Sequence, residues 1–403
     1  MKTAKLILVS ENNNNKFYNM TDDGQNIHVE FGRVDSKPRN ATYSSYMWDK
    51  IYNDKIKKGY TDVTSYAIID DNNTTYNMYD GISSDIIDVL KFLIESAKTK
   101  ISNNYNISTE NVTIGMINKA QDIINSIGDL YNTLFEYDDR NLSDDDIAKV
   151  NHQFLELYKV IPRKMKIVRD YLIHNGSSEE IKKLLINEQS LLDTLAGQVK
   201  DNDPKNETAP KFKNILDEIN VSIELVKDKT ESDKVYSYFE SNKRYIKHIY
   251  KVTNKTTEEK FNPDNINTTF LFHGSRNENW FNIIKTGLLI RPSCAQITGA
   301  MFGNGIYFAN KAQKSKGYTS APGSYWAKGR SKKYFLALYQ VATGNQKNIY
   351  KHTSNCYSLN YNKIKNENFD SVYAHGGIDL RNDEFIIYNT NQCNIKYLIE
   401  LEE

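Results

Sequence analysis

The spacing of apolar residues changes twice along this chain, and those changes limit its architecture more than any other feature. Near the N-terminus the apolar residues come in short alternating runs. Lys5–Ser10, Lys16–Met20 and Asn26–Arg33 read as strands, separated by the polar turns Asn12–Asn15 and Asp22-Asp23-Gly24. Thr42 to Lys57 reads as a helix. From Ser84 to about Val199 the spacing is helical throughout. Ile86, Ile87, Val89, Leu90, Phe92 and Leu93 open it, and Val112–Leu134, Ser143–Val160 and Ser178–Val199 continue it. Ser143 before Asp144-Asp145-Asp146, and Ser177-Ser178 before Glu179-Glu180, are N-cap residues with acids in the first turn, while Asn175-Gly176 is a stop. Strands then resume at Ile219–Val226, Ile246–Val252, Phe270–His273, Tyr334–Thr343, Phe385–Tyr388 and Ile395–Leu401, with a helix at Asp233–Ser241. No single repeating layer accommodates this order. The expectation is an α+β multidomain chain divided at 1–80, 84–200 and 212–403, with polar linkers at residues 72–83 and Lys200–Lys211.

Bulk properties remove several classes of function. A net charge of +1 gives no global argument for nucleic-acid binding, so any such site is a local patch. The cysteines Cys294, Cys356 and Cys393 have neither metal-ligand spacing nor an even number, which argues against zinc and against a disulfide framework. The apolar run in MKTAKLILVS is too short for a signal peptide, and no stretch is long enough to span a membrane. The expected setting is intracellular and reducing, with no membrane partner.

Chemistry concentrates between Thr269 and Tyr318. An apolar strand, Phe270-Leu271-Phe272, ends in His273-Gly274-Ser275. Gly303-Asn304-Gly305 leads into a second strand, Ile306-Tyr307-Phe308-Ala309, and then a Lys/Ser/Tyr-rich helix. Polar groups at strand ends beside glycines are common material for small-molecule sites, because glycine lets a ligand reach the backbone. A G-x-G-x-x-G between strand and helix is missing, so a bound dinucleotide would not sit on a Rossmann turn. Ser315 and Tyr318 are spaced i,i+3 and on one helix would share a face. Glu384 and its neighbour Asp383 open the strand ending at Tyr388; alone, either would read as a solvated strand-edge acid.

The segments HGS, TGAMFGNGIYFAN, KSKGY and DEFIIY, in that order and spacing, resemble the catalytic domain of the poly(ADP-ribose) polymerase family from about residue 212 to the end. Upstream, the helical stretch is similar to that family's regulatory helical domain. The N-terminal strands, Phe31-Gly32-Arg33-Val34, a helix and KKGYTDV resemble a WGR domain, with Phe31 where the family has tryptophan. The resemblance implies a small β-rich WGR-like domain, an all-α helical bundle and a split antiparallel β-sheet ADP-ribosyl transferase domain.

The same resemblance assigns roles residue by residue. Glu384 would hydrogen-bond the substrate ribose and activate the acceptor hydroxyl, completing a His273–Tyr307–Glu384 set. Gly274 backbone and the Ser315 hydroxyl would hold the nicotinamide amide, with Tyr307 and Tyr318 stacked on its ring. His273 would bind the adenosine ribose with Ser275 beside it, and Lys314 would assist the acceptor. Leu289 departs from a family arginine, leaving Arg291 as a substitute on the adenine side; Asp193 is the helical-domain candidate facing the same side. Phe31, Arg33, Lys37 and Arg39 would contact DNA. The implied protein is a monomeric, DNA-break-activated poly(ADP-ribose) polymerase of DNA repair. It consumes NAD as substrate without a metal, releases nicotinamide, and modifies acceptor proteins including itself. DNA ends or nicks with a 5′-phosphate would switch it on, by relieving the helical domain's restraint on NAD binding. Its location would be the nucleus in a eukaryote, or the cytoplasm and nucleoid in a bacterium. Transfer of a single unit, to DNA or protein, and a non-enzymatic scaffold are the alternatives left open; Met301 and a short Thr343–Asp383 stretch leave the acceptor type undetermined.

Overall fold

The computed structural model describes residues 2–34, 36–64, 77–105, 112–135, 141–199, 212–241, 243–261, 267–290 and 301–403. They form two compact units, Met1–Asn72 with Thr99–Lys205 and Asn73–Lys98 with Asn206–Glu403. These units cut across the division read from the sequence at residue 84.

In the first unit, β1 (Lys2–Ser10), β2 (Asn14–Asp22), β3 (Asn26–Arg33), β4 (Arg39–Ser44) and β5 (Thr61–Asp62) form an antiparallel sheet in the order β4-β3-β2-β1-β5. Its apolar face, Ala4, Leu6, Tyr18, Met20, Ile27 and Val29, closes with Trp48 of helix α1 (Trp48–Lys57). The helix expected from Thr42 therefore starts six residues later. Arg39–Ser44 pairs residue by residue with β3 instead, and this exposed edge strand has no apolar alternation to announce it. The helices are α2 (Ser84–Asn104), α3 (Ile114–Leu134), α4 (Asp144–Val160) and α5 (Ser178–Gln198). Ser143 caps α4 by accepting from the Asp146 N–H, and Ser177 caps α5 by accepting from the Glu180 N–H. Helix α3 packs on both α4 and α5. Between them Arg163 and Glu188 make a buried ion pair at 2.8 Å, each side chain 2% exposed.

In the second unit, β6 (Val221–Leu225), β7 (Ile246–Asn254), β8 (Thr268–Gly274), β10 (Lys333–Ala342) and β14 (Cys393–Glu402) form an antiparallel sheet, ordered β6-β7-β14-β10-β8. The other sheet, ordered β11-β12-β13-β9, contains β9 (Ile306–Phe308), β11 (Gln346–Ile349), β12 (Ser371–Ala374) and β13 (Glu384–Ile387). The sheets join at Phe272 and Ala309, whose backbones exchange hydrogen bonds of 2.8 and 3.0 Å. The expected antiparallel arrangement holds except at one ladder: β11 and β12 run parallel. Helix α6 (Lys229–Ser237) begins four residues before its expected start, because Asp228 caps it by accepting from the Glu231 N–H. Residues 84–98 of α2 belong to this unit. Ile86, Val89, Leu90, Leu93 and Ile94 are buried in the same core as Trp280, Phe335, Phe385 and Leu398. That apolar face is why the first helical turns separate from the helices that follow.

Candidate active site

The joint between the two sheets of the second unit brings together most of the residues singled out in the sequence. His273 is near the end of β8, and its Nδ1 lies 3.0 Å from the Tyr307 carbonyl in β9. A carbonyl only accepts, so Nδ1 carries the proton and Nε2 keeps a lone pair. The rings of Trp280, Phe308 and Tyr339 face the imidazole edge-on at 6.4, 5.8 and 6.2 Å. Burial among them pushes its pKa below the ordinary 6.5, and the carbonyl bond only partly opposes this. His273 is thus a neutral acceptor, suited to a sugar hydroxyl.

Tyr307 is locked in place. Its hydroxyl donates to the Gly303 carbonyl at 2.9 Å and accepts from the Phe302 N–H at 3.0 Å. Burial raises its pKa far above the ordinary value, with the Glu384 charge adding to the shift, so the phenol stays neutral. Gly303 makes the tie possible. It sits at φ 74°, and a Cβ there would overlap the Leu359 carbonyl. Gly274 is equally confined, its Cβ position filled by the Ser315 carbonyl. At both glycines the space a side chain would take is filled by the protein's own backbone. Ser275 accepts from the Asn279 amide at 3.1 Å.

Helix α8 follows α7 (Asn277–Thr286) and spans only Ala312–Lys316, so Tyr318 lies beyond it, on the turn closed by its N–H to the Ser315 carbonyl at 3.1 Å. The expected shared helix face is therefore a helix end plus a turn. Ser315 is buried, its hydroxyl donating to the Phe272 carbonyl at 3.2 Å. Tyr318 is 41% exposed, and burial of its inner edge with the Glu384 charge raises its pKa to about 12. Lys314 forms an ion pair with Glu384, the first residue of β13. The two adjacent carboxylates are thereby distinguished. Asp383 accepts from Gly376 N–H at 2.9 Å, Tyr373 hydroxyl at 3.1 Å and Asn310 amide at 3.1 Å. Burial opposes its ionisation, but these bonds outweigh it and hold the carboxyl below its ordinary range. Asp383 is spent on structure, whereas Glu384 meets a lysine beside two tyrosines.

Other expected residues lie elsewhere. Arg291 falls outside the described residues. Asp193, in α5 of the first unit, accepts from the Gln189 amide at 3.0 Å. Met301 packs beside Phe302, and His352 Nε2 donates to its carbonyl at 2.8 Å. Phe31 is half-buried against Tyr18, ring centres 5.5 Å apart. The Arg33 guanidinium donates to the carbonyls of Asn13, Met165 and Lys166 at 2.7, 3.3 and 2.9 Å. It ties the sheet to the chain before α5, while Lys37 and Arg39 are exposed. Trp326 was not foreseen at all; its ring stacks on Tyr318 at 6.0 Å and 19°. The Tyr325-Trp326 pair in a Gly/Pro/Ser loop was the available signal. Among the described residues no cluster of His, Cys, Asp and Glu could hold a metal ion, and no helix is long and apolar enough to cross a membrane.

The family described as poly(ADP-ribose) polymerase catalytic domain matches residues 223–403. The chain is 32% identical over 190 residues to protein 100L of Invertebrate iridescent virus 6, described as a putative poly(ADP-ribose) polymerase-like protein, covering 46% of this chain and 93% of that one. It is 31% identical over 214 residues to the uncharacterized protein 101L of the same virus, covering 53% of this chain and 83% of that one. Poly(ADP-ribose) polymerase 1 of Xenopus laevis is 26% identical over 351 residues, 78% of this chain but 33% of the frog protein.

Proposed function

The chain belongs to the poly(ADP-ribose) polymerase family, and from that premise we propose that it is a DNA-break-activated poly(ADP-ribose) polymerase acting on proteins, itself included. The observation that carries this reading is the Lys314–Glu384 pair beside Tyr307 and Tyr318, in the unit where His273 is held neutral.

In the proposed reaction NAD is the substrate. The Gly274 backbone and the Ser315 hydroxyl grip the nicotinamide amide, Tyr307 and Tyr318 stack on the ring, and His273 Nε2 accepts from the adenosine ribose, with Ser275 next to it. The nicotinamide–ribose bond breaks and its electron pair leaves with the ring nitrogen. The ribose carbon becomes oxocarbenium-like, as in glycoside cleavage. Glu384 stabilises that charge through the ribose 2′-hydroxyl and takes the proton of the acceptor hydroxyl, whose oxygen forms the new bond. Lys314, ion-paired with Glu384, holds that carboxylate in place. Arg291 and Asp193 are proposed on the adenine side.

The same proposal divides the chain into a WGR-like DNA-binding part (1–80), a regulatory helical part (84–200) and the transferase (212–403). The antiparallel N-terminal sheet and the capped helices support the first two. DNA ends or nicks with a 5′-phosphate would meet Phe31, Lys37 and Arg39, with Arg33 linking sheet to helices.

The test is nicotinamide release from NAD, with and without duplex DNA bearing a 5′-phosphate, for wild type and Glu384→Gln. Release that rises with DNA and collapses in the variant is expected. Equal release with and without DNA would remove the DNA-sensing part; no release from wild type would remove the enzyme.

A further inference from the structure

No Asp or Glu occurs from Asn279 to Asn366, while thirteen Lys or Arg do, in a chain whose net charge is only +1. The structure sorts these cations. Lys314, Lys316, Lys333, Lys347 and Lys365 pair with Glu384, Glu403, Glu400, Glu367 and Asp370, acids that follow in the sequence. Lys328, Arg330 and Lys332 are exposed and have no ion pair among the described residues. They share a loop with Tyr325 and Trp326, which are 75% and 62% exposed.

This loop is a built surface. Trp326 and Ala327 donate from their N–H groups to the Gly317 carbonyl at 3.0 and 3.2 Å, and Ser331 donates to the Ser320 carbonyl at 2.8 Å. Lys328 is held at φ 49°, a left-handed conformation that a side chain with a Cβ rarely adopts. Trp326 stacks on Tyr318, and Tyr325 meets Trp326 edge-on at 4.6 Å and 88°. Large exposed aromatic rings beside cations with no ion pair among the described residues, and no acid in the loop, match the two requirements of single-strand recognition. Bases stack on rings without regard to sequence, and the backbone follows positive charge.

We propose that the Tyr325–Trp326 platform, with Lys328, Arg330 and Lys332, binds single-stranded nucleic acid on the catalytic unit. A base stacks on the exposed rings of Tyr325 and Trp326, and phosphates lie along the cations. Because Trp326 stacks on Tyr318, which feels the Glu384 charge, the strand is held at the mouth of the candidate active site. This site is separate from the proposed contact of DNA ends with the N-terminal sheet.

The experiment exploits the chain's tryptophans. There are three, and Trp48 and Trp280 are buried, so Trp326 is the one exposed to a quencher. The full chain carrying Lys37→Ala and Arg39→Ala, which disables the proposed N-terminal contact, is titrated with oligothymidylate about 12 nucleotides long. Quenching that saturates is expected. By fluorescence anisotropy of labelled oligonucleotide, Trp326→Ala and Tyr325→Ala each weaken binding on the order of tenfold. Lys328→Ala with Arg330→Ala lowers the slope of log affinity against log salt by about 1.4, roughly 0.7 per charge. Binding that is absent in the parent protein, or unchanged in Trp326→Ala, overturns the proposal. So does an abasic oligomer of equal length that binds as tightly, since charge alone would then suffice. Trp326→Phe retains a stacking ring; its near-normal affinity, beside a thermal midpoint unchanged in Trp326→Ala, supports the proposal, and loss of affinity in Trp326→Phe counts against it.

Discussion

Of the glutamates that pair with a basic side chain, Glu188 and Glu384 have contrasting surroundings. Glu188 and Arg163 are sealed inside the first unit, each 2% exposed. The guanidinium lies over the rings of Tyr105 and Tyr171 at 5.0 and 5.6 Å. Burial raises the Glu188 carboxyl above its ordinary value despite the arginine. Such a pair holds a packing arrangement, and its attraction is largely offset by the loss of water. Glu384 and Lys314 sit at a site edge, their side chains 11% and 14% exposed, with the partly exposed Tyr318 alongside. That neighbourhood is open to water on the Tyr318 side. A buried ion pair is thus not by itself a sign of chemistry; access and the groups around it decide.

The largest effect separates the pairs by activity. Glu384→Gln is expected to lower NAD-dependent nicotinamide release by about 10²- to 10⁴-fold, with little change in thermal midpoint. A variant retaining a tenth or more of the activity would make Glu384 as structural as Glu188. Next comes stability. Glu188→Gln leaves the Arg163 charge buried without its partner, and is expected to cost about 3–5 kcal/mol in the first unit. Denaturant unfolding followed by far-UV circular dichroism measures it; a loss similar to that of Glu384→Gln would erase the distinction. Smaller still, Gly303→Ala forces a Cβ onto the Leu359 carbonyl at positive φ, costing about 1–3 kcal/mol. Because Gly303 fixes Tyr307, KM for NAD should rise with that loss.

Much of this contrast was visible in the sequence, and the missing part has a physical pattern. His273, Tyr307, Ser315 and Glu384 were legible because each lies in a short motif, and motifs survive the uncertainty of element boundaries. The capped helices were legible because Ser143 and Ser177 are followed by acids that report local geometry. The Arg163–Glu188 pair was not, since two charges 25 residues apart look like solvated surface until the helices pack. Edge strand β4 was missed because its residues are mostly exposed, and β11 and β12 because parallel pairing leaves no hairpin turn in the sequence. The role of Asp383 required its three donors to be in view. The i,i+3 spacing of Ser315 and Tyr318 is shared by helices and by the turns that end them, so the sequence alone does not separate the two.

The smallest expected effect concerns protons. His273 has a folded pKa below the ordinary 6.5 because burial disfavours its charged form. The unfolded chain therefore takes up a proton at this residue at higher pH than the folded chain does. Stability from His273 is fully present above about pH 6.5 and declines as pH falls below it, by at most about 1.4 kcal/mol per pH unit. The decline stops at the folded pKa. Protonation also removes the Nε2 lone pair, so NAD-dependent release should develop an acid limb below that of an ordinary histidine. His273→Gln removes the titration, and the difference in unfolding free energy between wild type and variant, followed from about pH 7 to pH 5, isolates it from the other histidines. A difference that stays flat would mean that His273 is charged or solvated in the folded chain. Its hydrogen bond to the Tyr307 carbonyl would then no longer define which ring nitrogen keeps a lone pair.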